Sequence, residues 1–215
     1  MPPDRARLAE GAAAFGVALD DAQLDTLLDY LALLAKWNKV YNLTAVRERS
    51  NMLVHHLLDS LAIVAPLRRW AAEKPRRVLD VGSGAGLPGV VIAVAVPALD
   101  VTCVDAVGKK ASFVRQAAAE LGLRNLHAAH SRVEALADPP FDLVTSRAFA
   151  TLADFVALTN DRLAPDGVWL AMKGKHPAAE IESLPATIEV FHVEQVRVPG
   201  LDADRCLVWM RRRTS

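Results

Sequence analysis

The sequence predicts a doubly wound α/β domain that follows a helical extension. Three features predict this fold class: apolar residues at helical spacing over the first 70 residues, short apolar strands that then alternate with helices, and two apolar runs around a turn near the end. Strands that alternate with helices form a parallel sheet covered on both faces. We therefore expect a helical extension over residues 1–70 and a sheet domain over residues 71–215.

The extension is predicted most clearly after Asp20. Asp20 and Gln23 form a capping-box pattern, and apolar residues follow them at helical spacing. These apolar positions are Leu24, Leu27, Leu28, Leu31, Leu34 and Ala35. Residues 37–44 are typical of a helix end and an ordered loop. A second amphipathic helix is predicted over residues 49–64, ending before Pro66.

The sheet domain is predicted to begin after Pro75, where strands and helices alternate. The predicted strands cover residues 78–81, 99–104, 126–129, 141–145 and 168–172. The predicted helical segments cover residues 88–96, 109–121, 133–137 and 152–163. Residues 188–198 and 206–210 predict two further strands around a turn, which indicates an antiparallel pair at one edge of the sheet.

Composition excludes several classes of protein. The chain has 215 residues, 52% of them apolar, with 25 basic and 25 acidic residues. It can therefore bury a core, and its zero net charge argues against general nucleic-acid coating, which depends on phosphate neutralisation. Two cysteines without a CxxC pattern fit the reducing cytoplasm. The sequence contains neither a signal-peptide pattern nor the roughly 20 apolar residues of a membrane span, so no membrane partner is expected.

The most informative motif is a glycine-rich loop between the first strand and the next helix, from Asp80 to Gly89. It fits a dinucleotide through a GxGxxG pattern that begins at Gly84, or S-adenosylmethionine through a GxGxG pattern that begins at Gly82. Electrostatics favour S-adenosylmethionine. The Asp80 carboxylate would repel a pyrophosphate at the helix N-terminus, but it stabilises a sulfonium or ammonium cation.

Two further positions fit that cofactor. Asp105 ends the second strand 23 positions after Gly82, where an acidic residue binds ribose hydroxyls and disfavours the 2′-phosphate of NADP. The loop after the third strand, which contains Val133, is expected to flank the adenine, with a backbone N–H and the Glu134 side chain reading its edge. A capping box, in which Ser131 caps a short helix with Glu134, is an equal alternative.

Taken together, the motifs resemble one known family. The likeness lies in the glycine loop with its Leu-Pro extension, in Ser131-Arg132-Val133-Glu134, in Ser146-Arg147-Ala148-Phe149-Ala150 and in Lys173-Gly174. Further upstream it includes residues 37–44 and His56-Leu57-Leu58-Asp59-Ser60. Over about residues 37–210, the chain resembles the GidB (RsmG) family of bacterial small-subunit ribosomal RNA methyltransferases.

The resemblance implies a Rossmann-like class I S-adenosylmethionine-dependent methyltransferase, with a seven-stranded, mostly parallel sheet and an N-terminal helical extension. It implies methyl transfer to N7 of a guanine in 16S rRNA, with 16S rRNA or the small ribosomal subunit as the partner. The family's cofactor contacts fall on Gly82, Leu87, Val133, Glu134 and Arg147. The motif analysis adds Gly84 and Asp105 to these candidate cofactor-binding residues.

The residue chemistry agrees with methylation at N7. Guanine N7 carries a free lone pair, so its methylation requires alignment but no general base, and no catalytic residue is assigned. No metal is expected: His127 and His130 are interpreted as structural, and Cys103 and Cys206 as core residues. The Asp-Pro-Pro-Phe segment at residues 138–141 is interpreted as a turn, because it precedes the fourth strand instead of following it.

Candidate substrate contacts lie after the fourth and fifth strands. Arg147 suits either the methionine carboxylate of the cofactor, or guanine O6 or a phosphate. Phe149 suits stacking on the guanine, although packing in the core is the favoured interpretation. Lys173 and Lys175 suit RNA phosphate, with a solvated loop as the alternative.

The N-terminal motif and the arginine clusters each allow two interpretations. His56, Asp59 and Ser60 recur at helical spacing. They either face the cleft, with His56 toward the substrate, or fix the N-terminal helices to the sheet, which we favour. The arginine clusters at residues 68–69, 76–77 and 211–213 are typical of solvated surfaces or, taken together, of a basic face toward RNA.

Two other activities remain open from the sequence. One is S-adenosylmethionine-dependent methylation of another substrate, such as a small molecule or a protein. The other is a nicotinamide-dependent oxidoreductase that uses the same glycine loop. The choice of cofactor separates a methyltransferase from an oxidoreductase, and we expect S-adenosylmethionine to bind.

Overall fold

The computed structural model describes residues 3–72, 76–147 and 149–213. Pro75 and Ala148, which belong to the sequence patterns above, lie outside the described residues. The helices are α1 (Pro3–Ala14), α2 (Asp21–Tyr41), α3 (Arg49–Met52), α4 (Asp59–Leu61), α5 (Val64–Ala71), α6 (Gly89–Ala95), α7 (Gly108–Glu120), α8 (Leu152–Thr159) and α9 (Ala178–Glu182). The strands are β1 (Arg76–Val81), β2 (Leu99–Asp105), β3 (Leu126–His130), β4 (Phe141–Arg147), β5 (Leu163–Lys173), β6 (Ile188–Val196) and β7 (Arg205–Arg212).

The strands form one seven-stranded sheet in the order β3-β2-β1-β4-β5-β7-β6. Strands β1 to β5 pair in parallel, whereas β7 is antiparallel to both β5 and β6. The mostly parallel sheet and its antiparallel edge pair are therefore confirmed. The order reverses between β1 and β4, which creates the switch point where ligands of doubly wound sheets bind.

Helices cover both faces of the sheet. Side chains alternate along β1, so that Val78 joins one core cluster and Leu79 the other. The cluster that includes Val78 also contains residues of α1, α2, α5, α6 and α7, whereas α8 packs into the cluster that includes Leu79. The N-terminal helices therefore share the larger core with the sheet.

Helix α2 fixes the extension beside the glycine loop. The predicted capping box is present: the Gln23 N–H donates to Asp20 Oδ1 at 2.8 Å, and the Asp20 N–H donates to Gln23 Oε1 at 3.1 Å. Leu27 and Leu31 are fully buried, and burial of each such side chain stabilises the fold by about 1.5–3 kcal/mol. The Tyr30 hydroxyl, also buried, donates to the Ala85 carbonyl of the glycine loop at 2.8 Å.

Three element predictions need correction. The helix predicted over residues 49–64 contains a π-helical turn, Leu53–Leu58, and ends at Leu61. Helix α5 then begins at Val64 and holds Pro66 in its first turn, where the missing N–H is tolerated. The fourth predicted helix ends at Thr159, and a 3₁₀ turn leads into β5. Helix α9 was not predicted, because it has only five residues and none is buried, so it lacks an apolar period.

Candidate functional site

The loop after β1 allows a ligand to approach its backbone closely. Gly82, Gly84 and Gly86 have φ angles of 63°, 60° and 88°, in the left-handed region that favours glycine. The Gly82 N–H donates to the Val104 carbonyl at 2.9 Å, which ties the loop to the end of β2. A Cβ atom at Gly84 would meet no other atom within 4 Å. The backbone at Gly84 therefore faces open space that a ligand can enter.

A cavity of about 260 Å³ opens at the carboxyl ends of the strands. It joins the glycine loop to the end of β2 and to the loop that follows β3. Its lining residues are Val81, Gly82, Val104, Asp105, Ala106, Ser131, Arg132, Val133, Glu134, Phe149 and Leu158. Four of the seven predicted cofactor residues, Gly82, Asp105, Val133 and Glu134, thus surround one cavity at the switch point of the sheet. The other three, Gly84, Leu87 and Arg147, lie outside its lining.

Asp105 both organises the glycine loop and lines the cavity. Its Oδ2 accepts the Gly84 N–H at 2.9 Å, and its Oδ1 accepts the Val107 N–H at 2.8 Å. The Lys110 ammonium lies 3.9 Å from Oδ2. Because each carboxylate oxygen has a further lone pair, both oxygens retain the capacity to accept a ribose hydroxyl.

The loop after β3 does not contain the capping box that was the alternative. Its 3₁₀ turn covers Val133–Ala135, and the residue before the turn is Arg132. The Ser131 hydroxyl donates to the Arg132 carbonyl at 2.7 Å instead of capping the turn. The capping interpretation is therefore wrong, because the turn begins one residue too late for Ser131. Both Ser131 and Glu134 line the cavity.

Asp80 lies behind the glycine loop and is fully buried. Its Oδ2 accepts the Gly89 N–H at 2.8 Å and lies 3.9 Å from the buried Cys103 Sγ, whereas its Oδ1 has no hydrogen-bond partner within residues 3–72, 76–147 and 149–213. Burial raises the pKa of Asp80 to about 7, although the Gly89 N–H and the Arg147 charge oppose this rise. An unpartnered buried carboxylate oxygen is costly. The ammonium group of S-adenosylmethionine can supply both the hydrogen-bond donor and the positive charge that Asp80 Oδ1 lacks.

Arg147 ends β4 and contacts the N-terminal helices. Its Nη1 donates to the His55 carbonyl at 2.8 Å and to Asp59 Oδ2 at 3.1 Å. The other oxygen of Asp59, Oδ1, accepts from Arg205 Nε on β7 at 2.6 Å. These contacts agree with the favoured interpretation, in which this part of the N-terminal motif fixes the helices to the sheet.

His56 is buried in the same region. Its Nε2 lies 3.0 Å from the Thr44 hydroxyl oxygen, which also accepts the Val46 N–H at 3.2 Å. Burial, assisted by the Arg147 charge, lowers the pKa of His56 to about 4, so the ring is neutral at pH 7. Nδ1 is buried and has no hydrogen-bond partner among the described residues.

Phe149 lies at the mouth of the cavity. Its side chain is 36% exposed, and a Cβ atom added to Gly82 would come within 2.5 Å of its ring. The ring contacts Phe155 edge-on, with ring centroids 6.5 Å apart. The favoured core-packing interpretation is therefore wrong, because the ring lines the cavity and remains open to solvent.

The two lysines after β5 have different surroundings. Lys173 Nζ lies 2.8 Å from Glu180 Oε2 and donates to the Ala150 carbonyl at 2.9 Å, which holds the segment after β4 in place. Lys175 is exposed and forms no ion pair among the described residues. The ammonium of Lys175 is thus open to a ligand phosphate, whereas that of Lys173 is already paired.

Two of the arginine clusters lie away from the cavity. Arg76 and Arg77 begin β1, whereas Arg211 and Arg212 end the antiparallel β7 and Arg213 follows it, so both clusters lie at the amino ends of the parallel strands. Arg77 donates to the carbonyls of Pro139 and Pro140, which lie directly before β4, as predicted. Arg211 pairs with Glu189. These contacts favour structural roles over a basic face toward RNA.

Sequence reasoning missed two residues next to the site. Tyr30 has no sequence signal, because a tyrosine within a leucine-rich helix is typical of core packing, yet its hydroxyl binds the glycine loop. Arg205 lies 146 positions from its partner Asp59. No local spacing could have paired those two residues.

The fold and the site together define a Rossmann-like S-adenosylmethionine-dependent methyltransferase. Solved structures with this fold include the ribosomal protein L11 methylase from Lactobacillus delbrueckii subsp. bulgaricus, which is 18% identical, with a TM-score of 0.58 over 73% of this chain and 80% of that chain. They also include the 1,6-didemethyltoxoflavin-N1-methyltransferase from Burkholderia thailandensis, solved with S-adenosylhomocysteine. The latter is 16% identical, with a TM-score of 0.59 over 86% of this chain and 90% of that chain.

The chain belongs to the GidB family, described as rRNA small subunit methyltransferase G, which matches residues 23–208. A relative named ribosomal RNA small subunit methyltransferase G, from Leptothrix cholodnii, is 62% identical over all of this chain and 98% of its own length. A relative of the same name from Acidovorax sp. (strain JS42) is 62% identical over 95% of this chain and 93% of its own. The family resemblance is thereby confirmed, and the oxidoreductase alternative is set aside.

Proposed function

We propose that this chain transfers the methyl group of S-adenosylmethionine to N7 of a guanine in 16S rRNA. One observation carries the proposal: the family match covers residues 23–208, and all residues that line the cavity lie within that range. The relatives' names give small-subunit ribosomal RNA as their substrate. N7 of a guanine is the target atom that the family resemblance implies.

The cavity suits S-adenosylmethionine by shape and charge. Gly84 leaves open backbone, and Asp105 offers carboxylate lone pairs for the ribose hydroxyls. Behind the glycine loop, Asp80 Oδ1 is buried without a hydrogen-bond partner among the described residues, so it can accept from an ammonium group. The residues we assign to the cofactor are Gly82, Gly84, Leu87, Asp105, Val133, Glu134 and Arg147. When bound, the cofactor supplies an electrophilic methyl group on a sulfonium centre.

Transfer to N7 requires little acid–base chemistry from the protein. The N7 lone pair is free, so the chain's residues need only align the base and exclude water, and alignment contributes up to roughly 7–11 kcal/mol in favourable cases. Phe149 presents a half-open ring at the cavity mouth, where a guanine can stack. Methylation places a positive charge on the base, and the face of an aromatic ring attracts such a charge.

The remaining assignments concern the RNA. We assign Lys175 to a phosphate of the RNA backbone and His56 to the substrate side of the site. Lys173 orders the segment after β4, whose Ala150 carbonyl it binds. We assign residues 1–70 as a helical extension that completes the site of the methyltransferase domain, residues 71–215. The partner is 16S rRNA or the assembled small subunit, in the cytoplasm, and the chemistry calls for no metal ion. None of the helices in the described residues is long and apolar enough to span a membrane.

The test is a methylation assay with tritiated S-adenosylmethionine and three substrates: deproteinised 16S rRNA, small ribosomal subunits from cells that lack this enzyme, and a pool of small metabolites. We expect label in RNA only, and mass spectrometry of nuclease digests should identify 7-methylguanosine at a single position. Label in another nucleoside, or in protein or metabolites alone, would contradict the proposal.

A further inference from the structure

Asp59 connects the N-terminal helices to two strands of the sheet through one buried carboxylate. Its Oδ2 accepts from Arg147 Nη1 at 3.1 Å, and its Oδ1 accepts from Arg205 Nε at 2.6 Å. The Asp59 side chain is 5% exposed, and the two arginine side chains are 23% and 24% exposed. This unit, Arg147–Asp59–Arg205, is called the Asp59 bridge below.

The Asp59 bridge leaves most of the Arg147 guanidinium free. An arginine and a carboxylate frequently pair through two parallel hydrogen bonds, which would occupy two nitrogens of Arg147. Here Arg205 Nε donates to the second oxygen of Asp59, and the carboxylate accepts from Arg147 through Nη1 only. The His55 carbonyl accepts from the same Nη1. The guanidinium is thus oriented from two sides, while no described residue accepts a hydrogen bond from its Nε or Nη2.

The charge of the Asp59 bridge suits an anion at these free donors. Two guanidinium groups and one carboxylate carry a net charge of +1, and their limited exposure weakens screening by solvent and salt. The field of Arg147 extends to its surroundings, because it lowers the pKa of both His56 and Asp80. Asp80 lies directly behind the glycine loop, so the charge acts on the cofactor side of the sheet.

We propose that Asp59 is a positioning residue for the cofactor. Together with Arg205, it holds Arg147 so that Nε and Nη2 of Arg147 bind the carboxylate of S-adenosylmethionine. Asp59 acts through Arg147 without touching the cofactor, and Arg205 acts by preventing a two-bonded Asp59–Arg147 pair. This inference rests on the proposed function, in which Arg147 contacts the cofactor.

The first test is Asp59→Asn. The amide keeps the shape of the side chain but loses its charge and replaces one acceptor with a donor, so it cannot bind two guanidinium groups. We expect the Kd for S-adenosylmethionine, measured by calorimetry without RNA, to rise about tenfold or more. The KM for the cofactor should rise likewise, with smaller changes in kcat and in the KM for RNA. A folded variant with a lower Tm and unchanged cofactor Kd would reduce Asp59 to a structural tie and overturn the proposal.

The second test uses Arg205, and it applies even if Asp59→Asn does not fold. Arg205→Ala frees both oxygens of Asp59 for Arg147, so we expect the cofactor Kd to rise by about 3- to 10-fold, with partial rescue in Arg205→Lys. The matched control is Arg211→Ala. Arg211 lies near the other end of β7 and also pairs through Nε, with Glu189 at 2.8 Å. Equal effects of Arg205→Ala and Arg211→Ala on the Kd would overturn the proposal.

A double-mutant cycle tests whether Asp59 acts through Arg147. We expect Asp59→Asn to weaken cofactor binding no further in an Arg147→Ala background, whereas independent roles would give additive losses and overturn the proposal. The wild-type protein separates this inference from the proposed function. If the wild type binds no S-adenosylmethionine, the proposed function fails. If it binds and methylates RNA while Asp59→Asn and Arg205→Ala bind equally well, only the Asp59 bridge proposal fails.

Discussion

Arginines at the two ends of the parallel strands differ in how they use their hydrogen-bond donors. At the amino ends, Arg77 donates to backbone carbonyls, and Arg212 donates to Asn160 and to neighbouring carbonyls. At the carboxyl ends, Arg147 and Arg205 share the single carboxylate of Asp59, and Arg147 keeps donors that no described residue accepts. Arginine clusters in the sequence therefore do not mark the cavity. In the proposed function, the donors of Arg147 that no described residue accepts bind the cofactor.

The largest expected effect comes from Arg147→Ala. It removes the free donors at the carboxyl ends and leaves the buried Asp59 with only Arg205. We expect kcat/KM for methylation to fall by about 100-fold, since the loss combines charged hydrogen bonds with a partly unpaired carboxylate. Circular dichroism should show that the fold survives. Wild-type turnover would show that the unused donors at this end have no part in the reaction.

The second effect concerns Asp105, whose carboxylate accepts the Gly84 N–H of the glycine loop. We expect Asp105→Ala to weaken S-adenosylmethionine binding by roughly 1–3 kcal/mol, through the loss of charged hydrogen bonds. Calorimetry measures the Kd directly. The Asp105→Asn variant is the matched control, because it keeps acceptor capacity on one atom and should lose less affinity. An unchanged Kd in Asp105→Ala would remove this residue from the site.

The third effect is a pH dependence that arises from two buried groups near the carboxyl ends. The pKa of His56 falls from 6.5 to about 4 on folding, so its contribution to stability is lost as the pH falls below 6.5. The pKa of Asp80 rises from 3.8 to about 7, so its contribution is present at low pH and is lost as the pH rises toward 7. The two contributions oppose each other between about pH 4 and pH 6.5.

The variant Asp80→Asn removes only one of these two contributions. In that window, we expect its free energy of unfolding to rise relative to the wild type by about 1 kcal/mol per pH unit. Urea denaturation of both proteins at several pH values, without cofactor, measures this difference. A difference that does not vary with pH would show that the Asp80 carboxyl is already ionised in the folded protein.

The smallest expected effect is that of Arg211→Ala, near the amino ends of the parallel strands. Its ion pair with Glu189 is half-exposed, and such surface pairs contribute about 0–1 kcal/mol. We expect methylation rates to stay at the wild-type level and the Tm to change little. A clear loss of RNA methylation would show that arginines at the amino ends of the parallel strands also contribute to activity. It would favour the interpretation of these arginines as a basic face toward RNA.

Much of the fold was predictable because its signals are local. The alternation of apolar strands and helices predicted the mostly parallel sheet, and the antiparallel edge pair followed from the turn at residues 199–202. The errors also have local causes. Pro66 signals a helix end, yet it lies in the first turn of α5, and α9 is too short and too exposed to show a period.

The site was predictable only in part, for a related reason. Gly82, Asp105 and Glu134 were assigned from their places at or after the ends of consecutive strands, and a parallel sheet brings such places together at one edge. Val133 was assigned through the family resemblance. Phe149 was expected in the core, because an aromatic residue beside a strand is normally buried. Instead its ring packs against Gly82, where a Cβ atom would come within 2.5 Å of it, and this contact between residues 67 positions apart has no local signal.

By itself, the sequence determined the glycine loop, the acidic residue after β2 and the family to which the chain belongs. Each of these features depends on contiguous residues, whose backbone geometry is set by their neighbours. Only the tertiary structure decided how Arg147 is held and how Tyr30 reaches the glycine loop. Asp59 is separated from its two arginine partners by 88 and 146 positions, and Tyr30 from Ala85 by 55. Packing of the N-terminal helices against the sheet creates those contacts, and no short-range pattern encodes them.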